Sequence, residues 1–138
     1  MAYSIGGLIG TVLVSLIYAL IAIAVIRPLT KAFAGFRPTW GSGIGACVVG
    51  FSIIFMAGIA LDRYEHSGTF SVLLKHDAIL SLLGLVVYSL SHLAISRNRV
   101  NEKPTAKPLI LMSVVQIGLR TGCAMAAWYL MHLNGKPA

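Results

Sequence analysis

The sequence predicts an all-α integral membrane protein, a single four-helix domain over 1–138 whose transmembrane helices form an antiparallel bundle with both termini outside the cytoplasm. Three observations predict it. Of 138 residues, 57% are hydrophobic and only 11% are charged, against a charged share of roughly a quarter in soluble domains. The apolar residues are gathered into four long runs, at about 3–26, 41–61, 78–96 and 109–133. Each is close to or above the roughly 20 residues that a helix needs to cross hydrocarbon. Finally, Lys and Arg collect in alternate loops.

The first run carries no charge. A signal peptide would need a basic start and a shorter apolar stretch, so 3–26 is expected to be a span. All four runs are continuous rather than alternating, which excludes the pattern of a transmembrane barrel and leaves helices as the structures that satisfy every backbone polar group in lipid. Ahead of the third run, Thr69 is placed to cap two turns containing Phe70, Leu73 and Leu74, which are expected among the headgroups.

Orientation follows from the basic residues. Arg27, Lys31 and Arg37 lie between spans one and two, and Arg97, Arg99, Lys103 and Lys107 between spans three and four. The other side has Arg63, Lys75 and Lys136. The positive-inside rule therefore puts the loops between spans one and two and between spans three and four in the cytoplasm, and the expected location is a bacterial inner membrane. The net charge of +7 is read as this topology signal with a contribution to anionic headgroups, and not as a nucleic-acid footprint. The stretch 27–40 interleaves Lys31 and Arg37 with Phe33, Phe36 and Trp40, as an interfacial connector does. Tyr3, Tyr64, Phe70, Trp128 and Tyr129 fall where an outer aromatic belt is expected.

Small residues four apart let helices approach closely in lipid. Gly6 and Gly10, then Gly41, Gly45, Ala46 and Gly50, then Gly118, Gly122 and Ala126 form such series. They are expected to pack helices within the chain, with contact to other subunits or to a second copy as the alternative.

Arg120 stands in the middle of the fourth span. A guanidinium at that depth is costly unless it faces protein, water or a ligand. No Asp or Glu lies inside a span, so its countercharge is expected to come from outside this chain. At matching depth the other helices offer Ser15, Ser52 and Tyr88. Helical spacing also groups Thr11, Ser15 and Tyr18, then Ser81, Tyr88 and His92, then Ser113, Gln116, Arg120 and Cys123. The contact set for a partner or ligand is therefore Arg120, Gln116, Tyr88, Ser15, Ser52 and His92.

His66, His76, His132 and Asp62 gather on the outer side with Glu65 and Asp77 and are weak candidates for Zn²⁺, since their spacing matches no tight motif. Asp62 and His66 would share a face if the second helix continued. His92 lies at the opposite end, which disfavours a haem held by two histidines within one chain. Cys47 and Cys123 differ in depth by too much for a disulfide. No cofactor is identified, the glutamate of small multidrug exporters and the cysteine pairs of thiol-oxidising quinone reductases are absent, and no family is recognised.

With short loops and no catalytic constellation, the expected function is a non-enzymatic accessory or scaffold subunit of a larger membrane complex. It would dock through small-residue helix faces and Arg120. The alternative is a small oligomeric channel or carrier for an anionic solute, with Arg120 as the attracting charge.

Overall fold

A computed structural model describes residues 5–135; Tyr3 and Lys136 lie outside the described residues. Among the described residues the regular structure is entirely helical: α1 (Ile5–Ala34), α2 (Trp40–Glu65), α3 (Thr69–Lys75), α4 (Asp77–Ile95) and α5 (Ala106–Leu133). Four of these, α1, α2, α4 and α5, are long and apolar enough to cross a membrane. This is the architecture of a multi-pass membrane protein.

The first helix runs on past its apolar stretch and through Pro28. Proline inside a helix removes one backbone bond, and Pro28 sits on the exposed side. The chain stops at Gly35, which adopts a left-handed φ of 67° that glycine takes without steric cost, and whose N–H donates to the Lys31 carbonyl at 3.2 Å. The stretch 27–40 is thus about two further turns of helix and then a tight connection, which corrects the expectation of an interfacial connector. Phe36 and Pro38 are buried beneath it, while Phe33 and Trp40 remain exposed.

Thr39 caps α2, accepting the Ser42 N–H at 3.3 Å. The same turn is stitched to the end of α4. Arg97 donates its N–H to Ser42 Oγ at 3.0 Å, and its carbonyl accepts the Thr39 N–H at 2.8 Å. The α1–α2 and α4–α5 connections therefore meet at one end of the molecule.

At the other end the structure departs from the expected cap. Helix α3 is a separate piece begun by Gly68, and Thr69 is not its cap. The Asp62 carboxylate instead accepts the Gly68 N–H at 2.7 Å and the Thr69 hydroxyl at 3.3 Å. Val72 and Leu73 are buried, so these turns pack inward against α2 and α5. The cause is room: Gly58 leaves a gap on α2 that Leu73 fills, and a Cβ there would lie 2.6 Å from Leu73 Cδ2.

Each long helix packs on two others. Helices α1 and α4 both lie against α2 and α5, and α3 wedges between α2 and α5. The buried face of α1 is Tyr18, Ala19, Ala22, Ile23 and Ile26, a stripe at helical spacing. Tyr18 stacks on Phe51 at 4.1 Å between ring centroids, and Phe51 on Phe55 at 5.5 Å. On the outside large apolar side chains are widely exposed, Leu82 at 72% among them. Apolar surface of that extent suits lipid as the surrounding medium.

The interior glycines are filled by neighbours. A Cβ on Gly50 would lie 2.7 Å from the ring of Tyr88, and one on Gly43 would overlap Ile23. An aromatic ring enclosed on both sides has little freedom to retreat, and on the other side of Tyr88 a Cβ on Gly84 would lie 3.1 Å from its ring. We expect Gly50→Val to cost about 1–3 kcal/mol by overpacking, seen as a lowered unfolding midpoint in detergent. Gly118→Val, where a Cβ meets nothing within 4 Å, should leave that midpoint unchanged.

Candidate functional site

Four residues from two helices make the centre of the site. Arg120 Nη2 donates to Asp77 Oδ1 at 2.9 Å and to Ser81 Oγ at 2.8 Å, and Thr121 Oγ1 donates to the same Asp77 oxygen at 2.8 Å. Asp77 and Ser81 are one helical turn apart and share a face of α4. Asp77 is the first residue of α4, where a negative charge also complements the helix dipole.

This ion pair corrects the expectation that Arg120 must take its countercharge from another chain. Measured along their helices, Arg120 is about 21 Å beyond Ala106 and Asp77 about 27 Å before Ile95. The long, flexible arginine stem bridges such an offset, as it does when arginine reaches for a membrane surface. Asp77 lies just outside an apolar run, so backbone depth alone does not pair it with Arg120. Its signal was present in the Asp77–Ser81 spacing.

The pair does not exhaust the guanidinium. The Arg120 side chain is 1% exposed, yet among the described residues its Nε and Nη1 have no hydrogen-bond partner. Since a guanidinium carries five N–H donors and Nη2 uses its two, three protons remain unspent. Arg120 is also one of the residues that line a cavity of about 200 Å³, together with Tyr18, Phe51, Phe70, Leu73 and Cys123, and with Ile17 and Ala127. Tyr88 is fully buried and its hydroxyl also lacks a partner.

The remaining predicted contact residues form two other groups. Ser52 donates to Ser15 at 2.9 Å, joining α2 to α1 away from the ion pair. Gln116 Oε1 lies 2.8 Å from His92 Nε2, whose Nδ1 is 2.7 Å from Ser96 Oγ. Gln116 Nε2 donates to the Cys47 carbonyl at 3.4 Å, and Tyr18 donates its hydroxyl proton to the Gln116 carbonyl at 2.8 Å. This chain ties four elements together without a free polar end. The expected single polar layer is therefore divided, with Arg120 in one part and Gln116 and His92 in another.

The outer histidines are engaged separately. Helix α2 ends at Glu65, and His66 follows in a left-handed conformation with φ 57°, so Asp62 and His66 do not share a helical face. His76 Nε2 is 2.6 Å from Glu65 Oε1, and Lys75 pairs with the other Glu65 oxygen at 3.1 Å. His132 stacks against Trp128 at 4.1 Å. Among the described residues no three His, Cys, Asp or Glu side chains gather around a point where a metal ion would be held. Cys47 and Cys123 are free thiols.

At the opposite end, Arg27, Lys31, Arg37 and Arg99 line one hollow of about 460 Å³ with Trp40 and Asn98. Arg27 lies over the Trp40 ring at 4.4 Å and donates Nε–H to the Pro38 carbonyl at 3.0 Å. Among the described residues no carboxylate lines this hollow.

The small-residue series separate in the same way. Ala46 and Gly50 are buried against neighbours, as are Gly43, Gly58 and Gly84, which spacing did not single out. Gly6 is exposed, and a Cβ on Gly10 would meet nothing within 4 Å. Gly118, Gly122 and Ala126 are exposed, and a Cβ on either glycine meets nothing. The expectation that this ridge packs within the chain is corrected: α5 turns Ser113, Gln116 and Arg120 inward, which points the ridge outward. Compared with known proteins, the chain matches no protein-family model, no curated protein and no solved structure.

Removing the acid alone should be far worse than removing the pair. Asp77→Asn strands a buried cation, and because the Asp77 side chain is 35% exposed we place the cost at the lower end of the range for broken buried pairs, about 3 kcal/mol. The double variant Asp77→Asn/Arg120→Met should recover most of it. A double-mutant cycle on unfolding in detergent micelles reads the difference, and additivity of the two single changes is the contrary result.

Proposed function

We propose that the chain is a non-enzymatic accessory subunit of a larger membrane complex, and that it docks through the outward ridge of α5 onto a transmembrane helix of another subunit. The reading takes the four long helices as an antiparallel bundle, with both termini outside the cytoplasm of a bacterial inner membrane. One observation carries it. Among the described residues the buried helical glycines Gly43, Gly50, Gly58 and Gly84 are each met by a side chain, whereas Gly118 and Gly122, like Gly10 and Gly41, meet nothing within 4 Å, and of these Gly118 and Gly122 stand four apart on one exposed face of α5. In lipid no hydrophobic force brings helices together, so close backbone approach at small residues is what association uses.

The ion pair alters the role of Arg120 in this reading. A buried guanidinium already balanced by Asp77 does not need an acid from the partner. The same balance weighs against a path for an anionic solute, because the attracting charge is neutralised within the chain.

The ridge gives a direct test. Gly118→Leu and Gly122→Leu should abolish photocrosslinking from Met125, on the ridge side of α5, to a partner subunit, with the unfolding midpoint unchanged. Crosslinks from Leu82 on α4 should be absent throughout. A crosslinked species consisting of two copies of this chain, or crosslinking indifferent to the ridge, would refute docking to another subunit.

The hollow of Arg27, Lys31, Arg37 and Arg99 is read as a seat for anionic headgroups on the cytoplasmic side, where basic pockets between helices meet acidic lipid. Changing Arg27, Lys31 and Arg99 together to Gln should reduce the anionic lipid retained through purification by about tenfold or more, since each basic residue near such a surface contributes roughly 1 kcal/mol. Phosphate analysis of lipid extracts measures this, with zwitterionic lipid as the control that should not change.

A further inference from the structure

Arg120 is left with three N–H protons that no acceptor among the described residues meets, and its side chain lines a cavity in which every other lining group is apolar, aromatic or a thiol, apart from the Tyr18 hydroxyl. That hydroxyl spends its proton on the Gln116 carbonyl. Unsatisfied donors on a charged group are among the most costly features a buried site can hold. Water is a poor remedy, because buried waters make about three hydrogen bonds and this cavity presents polarity at one end only.

Three properties define what belongs there. The first is size: a 150 Å³ apolar cavity holds benzene, so about 200 Å³ accommodates a six-membered ring with oxygen substituents, or an ester group with the start of its chain. The second is access. The outer wall comes from Ile17, which is 59% exposed on the lipid-facing side of α1, together with Val14 and Ile21, so entry is from the bilayer. The third is charge. Asp77 already neutralises Arg120, so a further carboxylate would bury an uncompensated negative charge, whereas a carbonyl oxygen satisfies the donors without adding any.

We propose that this cavity binds a neutral, carbonyl-bearing lipophile of the bilayer interior, its oxygen accepting from the Arg120 guanidinium and its body lying against Tyr18, Phe51 and Phe70. The carbonyl can belong to a quinone ring or to a glycerol ester. The site lies inside the chain and does not depend on what α5 docks.

Native mass spectrometry of the detergent-solubilised full chain tests this with four probes offered in competition: decyl-benzoquinone, monoolein, oleate and decylbenzene. The expected result is retention of one of the two carbonyl probes at least about tenfold above decylbenzene, the scale of one charge-assisted hydrogen bond. Preference for decyl-benzoquinone assigns a ring carbonyl and preference for monoolein an ester. Ala127→Phe, which fills the mouth without touching the ion pair, should remove that retention, as should Asp77→Asn/Arg120→Met, which removes both charges together. Retention led by oleate overturns the charge argument. Equal retention of decylbenzene, no adduct at all, or undiminished binding in Ala127→Phe overturns the site itself.

Discussion

A guanidinium shut away from water must be answered by charge and by acceptors, and much of the arrangement at one end of this protein follows from how Arg120 is answered. Its acid, Asp77, is the first residue of α4. For Asp77 to begin a helix the chain must break at His76, and that break makes α3 a separate piece free to fold inward between α2 and α5. Leu73 can then enter the gap left by Gly58, and Asp62 can hold the turn at Gly68 and Thr69. Buried pairs stabilise little on balance against apolar replacements. The value of this one is in location, since it ties the start of α4 to the middle of α5.

The surrounding solvent explains why polarity lies inside. The buried stripe of α5 includes Ser113, Gln116 and Arg120, and that of α4 includes Ser91 and His92, while Leu82, Leu90 and Ile110 point outward. A water-soluble protein would reverse this. In lipid, a polar side chain turned outward finds no acceptor, so serines, Gln116 and His92 bond to one another and to carbonyls within the helix set. Glycine then does the work that apolar complementarity does elsewhere, letting Tyr88 and Leu73 lie close to opposing backbones.

The spans were legible because lipid imposes a length and a polarity on every crossing segment, and four apolar runs answer to that alone. The end of α1 was less so, since Pro28 reads as a helix stop and only its exposed position lets the helix continue to Ala34. Glycine spacing is the same whether a ridge faces in or out. Its direction was decided by the bulky residue opposite, which Gly50 and Gly58 have and Gly118 lacks. Of the site, Arg120, Gln116 and His92 were legible as an inward polar stripe. Asp77 was not, because backbone depth ignores the reach of an arginine stem, and the cavity was not, because it is a gap between residues from four elements.

Helix α5 carries two faces that answer to different physics. Gly118 and Gly122 each lie roughly 160° around the helix from Arg120. A helix seated on the ridge would gain from close backbone contact and would need nothing from the guanidinium. The cavity, by contrast, opens beside α1, and its specificity rests on donors left over from an ion pair that is already neutral. Charge neutrality is what separates the two. It removes the reason for a partner to bring an acid to Arg120, and it leaves three directed protons whose natural complement is an uncharged oxygen.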